Sequence, residues 1–256
     1  MSKRNPLAGA GRLLAVVALG LFAAAGRSAP APKSDVPEKV PEAGVPAEPA
    51  DGDADTHRKA SVNNLKLIAI AVMSYADDHR GQLPADVVGK DGKVLLSWRV
   101  LILPYLDQAE LYKQFKLDQP WDGEDNKKLL AKMPKVFASP RVTVKAGGHT
   151  VYQGFAGPGA LFEPGKQRHF PASITDGTSN TILAVEASVA VAWTKPADLP
   201  FDEKKDLPDF GKAYGSKPLA VLCDGSVRTL DLTKTSAVTL KSAITISGGE
   251  VLGADW

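Results

Sequence analysis

Asp77-Asp78-His79 sets two carboxylates beside an imidazole, the residue types that hold a transition metal. Such a site needs three or four converging ligands, and consecutive helical residues point in different directions. The triplet therefore reads as the polar end of a helix. Asp122-Gly123-Glu124-Asp125 is acidic enough to suggest calcium, yet it lacks the alternating ligand spacing of a calcium loop. Acids in a first helical turn, where the dipole favours them, are the simpler reading. Gly154-x-x-Gly157-x-Gly159 has neither a following G-K-[ST] nor a strand–loop–helix setting, so it predicts a flexible surface loop and no phosphate cradle. No G-x-S-x-G is present, and His57, His79, His149 and His169 have no local nucleophile signature. We expect no catalytic, cofactor or metal residues and no enzyme.

Cys223, the single cysteine, lies in an apolar run and predicts a small buried hydrophobe; no intrachain disulfide can form. Among the aromatic residues, Trp98 and Trp121 sit where helices must pack. Trp193 and Trp256 lie beside a loop and at the terminus, which makes them candidates for an exposed stacking surface that a sugar ring could use. Trp193 and Tyr214 are taken as candidate ligand-surface residues. A binding module on this chain would draw on loops 154–165 and 195–218.

The element that must position all of these is Arg58 to Gly81. Val62, Leu65, Ile68/Ala69, Val72 and Tyr75/Ala76 recur at three-four spacing, the period of one helical stripe. Leu67, Ile70, Ala71 and Met73 widen the stripe, so the helix is expected to be embedded nearly all round. Gly81 and Pro84 end it.

Ahead of it lie two segments of opposite charge. Residues 1–27 carry Lys3, Arg4, Arg12 and Arg27 and no acid, then the apolar run Leu13 to Ala25 with Ala23-Ala24-Ala25 as a cleavage site: a secretory signal. That run falls short of the roughly 20 residues a spanning helix needs, so cleavage is expected, with retention as an anchor the alternative. Residues 28–56, rich in Pro, Ala and acids and without an aromatic residue, predict a disordered tether. Residues 57–256 are then one folded domain. The formal net charge is +2, which offers no basic stripe for nucleic acid.

Beyond the long helix, Ser97 is an N-cap for a short helix through Trp98, which Pro104 interrupts. Asp122 is expected to cap another helix, which Pro134 stops, and 135–140 to form a short strand. After Val142 the pattern turns to β: a hairpin-like pair around Gly147-Gly148, a strand at 181–187 that Val189 to Trp193 extends or neighbours, and a hairpin at Asp224-Gly225. A last helix runs from Ser236 to Ile246. Helices first and strands afterwards predict an α+β fold, an antiparallel sheet packed on the long helix with short extra helices.

Four phrases in order, NNLKLIAIAVMSYADDHRGQLP (63–84), LLSWRVLILPYLDQAELYKQFKLDQPWDG (95–123), SITDGTSNTILAVEA (173–187) and LAVLCDGSVRTL (219–230), resemble the bacterial family called domain of unknown function 1559. These are the pilin-like "H-x9-DG" proteins, also filed as a solute-binding family. The resemblance implies a pilin-like fold, export and no established activity. It marks Asn64, Trp98, Pro104, Trp121, Asp122, Asp176, Gly177, Asn180, Glu186, Asp224 and Gly225 as motif positions of structural character. The prepilin leader and its glutamate have no counterpart here, and Tyr214 stands where the namesake histidine would precede Asp224-Gly225. The expectation is a non-catalytic exported envelope or surface protein, periplasmic or extracellular, with no membrane span once the signal is removed. It would be monomeric or weakly self-associating, with an unknown envelope protein or glycan as partner; the alternative is an extracytoplasmic module for a small solute or glycan.

Overall fold

The computed structural model describes residues 45–256. The expected leader (1–27) and the 28–44 part of the expected tether lie outside the described residues. In chain order come strands β1 (Val45–Pro46) and β2 (Glu48–Pro49), then the long helix α1 (Ala54–Asp78). Strands β3 (Val87–Val88) and β4 (Val94–Leu96) form a small hairpin ahead of three short helices, α2 (Trp98–Leu101), α3 (Ala109–Tyr112) and α4 (Glu124–Lys127). The β-rich part contains β5 (Val142–Thr143), β6 (His149–Gln153), β7 (Phe155–Ala156), β8 (Ile182–Ala192), β9 (Leu199–Pro200), β10 (Leu219–Leu222) and β11 (Val227–Thr229). Helix α5 (Ala237–Ile244) follows.

The fold is α+β. Strand β8 is the centre of an antiparallel sheet, with β6 and β10 on opposite sides of it and β1 also paired to it; β11 lies outside β10. Its sequence, ILAVEASVAVA, does not alternate apolar with polar because both faces are covered. Leu183, Ala184 and Ala190 join the core beneath α1, while Ile182, Val185 and Ala187 join a second core with Phe155, Phe210 and residues of α5. The 219–232 hairpin closes as expected. Gly225 takes a positive φ of 83°, and the Asp224 carboxylate accepts from the Ser226 N–H at 2.8 Å.

Helix α1 starts earlier than its apolar pattern. Asp53 caps it, accepting from the Asp55 N–H at 3.1 Å, and the Gly81 N–H closes the other end on the Ala76 carbonyl at 2.8 Å. The helix is embedded on one side only: Leu65, Ile68, Ala69, Val72 and Ala76 are buried, whereas Leu67 and Ile70 stay 41% and 52% exposed. The expectation of burial all round fails because the sheet and the segment after α2 cover a single stripe of the rod.

Several other local expectations are corrected. Residues 45–56, read as the end of a tether, are tied down: β1 pairs with β8, β2 with β5, and α1 already begins at Ala54. Backbone pairing holds this segment where its side chains could not. Asp122 caps nothing; the N-cap position of α4 is Gly123, and no side chain bonds there. Residues 135–137 form a 3-10 turn. No hairpin forms at Gly147-Gly148, since β5 pairs with β2 and β6 with β8. The glycine-rich stretch from Gly154 is packed, not flexible. A Cβ on Gly154 would lie 2.4 Å from the Phe162 ring, and one on Gly157 would lie 1.8 Å from the Phe201 carbonyl oxygen. These glycines let β7 run parallel to β9 at close range.

Candidate functional site

Two clusters built on buried charges, Glu186 and Arg99, interrupt the cores among the described residues. One is built on Glu186, which sits in β8 opposite Tyr152 of β6 and is fully buried. Ser61 of α1 donates to Glu186 Oε1 at 2.6 Å, Ser139 donates to the same oxygen at 3.3 Å, and the Leu219 N–H donates to Oε2 at 2.8 Å. Arg141 forms an ion pair with Oε2. Because the single Ser61 hydroxyl proton is given to Glu186, the Tyr152 hydroxyl must donate to Ser61, 2.7 Å away. Burial raises the Glu186 carboxyl above its usual range, with Arg141 and Ser61 opposing, and pushes the Tyr152 phenol up to about 12. All acceptor directions of Glu186 are occupied. This group fastens α1, β8, β10 and the 139–141 turn to one another and leaves nothing open to a ligand.

The other group borders a cavity of about 550 Å³. Arg99 is wholly buried in α2, where the run LLSWRVLIL otherwise lacks charge. Its Nε and Nη2 donate to the Tyr152 carbonyl at 3.1 and 2.9 Å, its Nη1 donates to Ser97 Oγ at 2.7 Å, and it pairs with Asp198, whose side chain is 1% exposed. Asp198 also accepts from the Gly154 N–H at 2.8 Å and from Trp98 Nε1 at 2.9 Å. Asp198 is thus committed on both oxygens.

Asp86 is different. Its Oδ1 accepts from the Trp98 N–H at 3.0 Å, and its Oδ2 has no partner among the described residues. Burial first, and the neighbouring Asp198 charge second, raise its pKa to about 7, against the opposing pull of the Trp98 N–H and Arg99. Around it the cavity is walled by Val72 of α1, Leu83, Val88, Val94, Leu161 and Phe162, with the Glu163–Arg168 ion pair, Lys166 and Lys195 also on the lining. Phe162 stacks on Trp98 with ring centroids 4.9 Å apart, which holds that wall in place. No Ser, Thr, Cys, His or Tyr is among the lining residues.

The residues singled out from the sequence fall mostly elsewhere. Trp98 is at this site, buried, with both nitrogens engaged. Trp193, taken as a surface residue, is 0% exposed: Phe115 and Phe137 enclose it, and its Nε1 donates to the Leu130 carbonyl at 3.0 Å. Tyr214 is also buried, under the Arg141 guanidinium beside the Glu186 group. Trp193 cannot serve as a ligand surface, because it fills a space in the core, whereas Tyr214 lines a second cavity of about 420 Å³ with His57, Arg58 and Arg141, its hydroxyl without a partner among the described residues. Trp256 is half-buried beneath Arg228, and Trp121 carries Lys195 over its ring at 5.4 Å.

Asn64 donates to the Ala138 carbonyl at 3.1 Å and Pro104 sits in a 3-10 turn. Asp176 accepts from the Gly248 and Gly249 N–H groups at 2.8 and 2.9 Å, while Asn180 donates to the Asp176 carbonyl at 3.0 Å across Gly177. Asp77, Asp78 and His79 do not converge: Asp78 accepts from Tyr105, and His79 stacks on Tyr75. Cys223 is free and buried. Asp86, Asp198 and Arg99 were not foreseen. A lone charge inside an apolar run, as at Arg99, was the signal that could have found them.

The expected loops contribute unevenly. Ala156, residues 161–165, residues 195–198 and Pro200 line the cavity, while 201–218 do not. Among the described residues no helix is long and apolar enough to cross a membrane. Residues 57–172 match the family described as "Protein of unknown function (DUF1559)", the family the four sequence phrases resemble. No curated protein and no solved structure matches the chain.

Proposed function

We propose that this chain, whose residues 57–172 carry the DUF1559 domain, is a non-catalytic exported envelope or surface protein that binds a small solute in the cavity beside Asp86. The observation that carries the reading is a largely apolar space of about 550 Å³, within the range of ligand pockets, lined by the Asp86 carboxylate, whose Oδ2 has no partner among the described residues. Pockets of this composition orient a ligand through a few polar groups and gain affinity from the apolar wall. The absence of a hydroxyl, thiol or imidazole from the lining, and the complete engagement of Asp198, favour binding over chemistry. Export rests on the basic and apolar leader, and the pilin-like character on the long helix set against an antiparallel sheet.

The test is a thermal-shift screen of small metabolites, sugars included, on the protein. A ligand at a hundredfold excess over its Kd stabilises by about 2.7 kcal/mol, readily seen as a rise in Tm. A shift that disappears in Val94→Trp, which crowds the cavity wall, supports the reading. No shift across the panel removes the solute and leaves a purely structural envelope role. N-terminal sequencing of protein recovered from cells tests export separately: an intact Met1 in a soluble cytoplasmic fraction ends it.

A further inference from the structure

The cavity says more about its occupant than its size. Four charged groups on the elements around Asp86 are already paired: Arg99 of α2 with Asp198 of the 195–200 segment, and Glu163 with Arg168 across the 161–168 segment. Lys195 lies over the Trp121 ring, and Lys166 is exposed. The elements that supply Val72 and Val94 bring no charge into the lining. Beside the apolar wall of Val72, Leu83 and Val94 stands the Asp86 carboxylate, whose Oδ2 has no partner among the described residues; on the 161–168 segment Glu163 Oε1 and the buried Arg168 Nε are likewise without one. Once Asp86 has lost its proton, Asp86, Asp198 and Arg99 together hold two negative charges against one positive, so a single positive charge balances the group.

Building on the solute-binding reading above, we propose that the ligand is an apolar amine whose protonated nitrogen docks on Asp86 Oδ2 and whose hydrocarbon part lies along Val72, Leu83, Leu161 and Phe162. An ammonium offers up to three donors and no acceptor, which suits an oxygen that has none. At the Asp86 end an anion is disfavoured, because Asp198 repels it and Arg99 is wholly turned to Tyr152, Ser97 and Asp198, while the cations of the lining, Lys166, Arg168 and Lys195, sit on the 161–168 and 195–200 segments. A neutral alcohol would satisfy the oxygen but leave the charge uncompensated, which is costly in an apolar setting. With its charge form disfavoured by burial, Asp86 takes up the cation best once it has lost its proton, so binding strengthens as pH rises through about 7.

The experiment is calorimetry on the full chain with n-hexylamine, 1-hexanol and hexanoate at pH 5.5, 7.0 and 8.5, repeated on Asp86→Asn. The proposal expects hexylamine to bind at pH 8.5 at least about tenfold more tightly than hexanol. That advantage should vanish at pH 5.5 and in Asp86→Asn, while hexanol binding survives the substitution. Equal binding of hexanol and hexylamine at every pH, or a preference for hexanoate, overturns the amine and leaves the cavity as a binding site. If none of the three binds the wild-type chain at any pH, the solute-binding reading fails with it. The wild-type pH series decides the point even if the variant does not fold.

Discussion

Tyr152 and Glu186 face one another across β6 and β8, and Ser61 of the long helix bridges them with one hydroxyl. The helix is thereby registered to the sheet by a polar contact inside an apolar core. Burying a carboxylate is tolerable here only because every acceptor direction is filled.

Removing the partners should therefore cost more than removing the bridge. Ser61→Ala is expected to destabilise by about 1–3 kcal/mol, and Arg141→Ala by about 3–5 kcal/mol, since it leaves Glu186 buried beside three neutral donors. Urea unfolding midpoints check both. An Arg141→Ala variant as stable as the parent would mean that Glu186 is already protonated and the pair is not an ion pair.

Asp86 makes the stability of the ligand-free protein depend on pH with a definite sign. Its pKa in the fold, about 7, lies above the ordinary 3.8, so the folded state holds the proton more tightly than the unfolded chain. Its contribution is full below pH 3.8 and is lost as pH rises to about 7, a change of about 2–4 kcal/mol. Asp86→Asn should flatten that limb and be more stable than the parent at pH 8. Melting curves from pH 4 to 8 decide it, after comparison of the variant with the parent under identical buffers.

Gly157→Ala should destabilise by about 1–3 kcal/mol, because the added methyl meets the Phe201 backbone carbonyl, which cannot swing aside as a side chain could. Gly92→Ala, at a turn with open space around it, tests backbone conformation alone; its φ is 81°. A Gly157→Ala protein with an unchanged Tm would show that β7 and β9 are not held at this spacing.

The half-exposed long helix predicts a sharp contrast along its length. Leu65→Ala should cost about 2–5 kcal/mol, whereas Ile70→Lys, five positions on but on the outer face, should fall within about 0.5 kcal/mol of the parent. Denaturant titration of the two variants tests the placement, and a large loss for Ile70→Lys would require a further layer over that face.

Elements carried by local pattern were legible in the sequence. The three-four spacing from Val62 to Ala76 located α1, Ser97 marked a real cap, a last helix lies within the expected 236–246, and Asp224-Gly225 closed a real hairpin. What failed depended on distant residues. Whether Ile70 is covered, whether Trp193 faces water and which strand β5 joins are set by segments far away in the chain, so no local period reports them. The candidate site was hidden for the same reason: Asp86, Arg99 and Asp198 are brought together by three separate segments, and only the isolation of Arg99 among apolar neighbours hinted that a buried counter-charge must exist.

The pairing of residues 45–50 bears on how the domain would respond to tension. A pull entering at Val45 meets two-residue strands first, with Ala47 bonded to Ser188 and Ala50 to Arg141 by single backbone contacts of 3.1 and 3.0 Å, before any load reaches the capped start of α1 at Asp53. These contacts form a weak mechanical link in series with a strong one. In an optical trap, stretching should first release a few nanometres of slack at low force and only later rupture the body of the fold; one abrupt rupture would show that the two yield together.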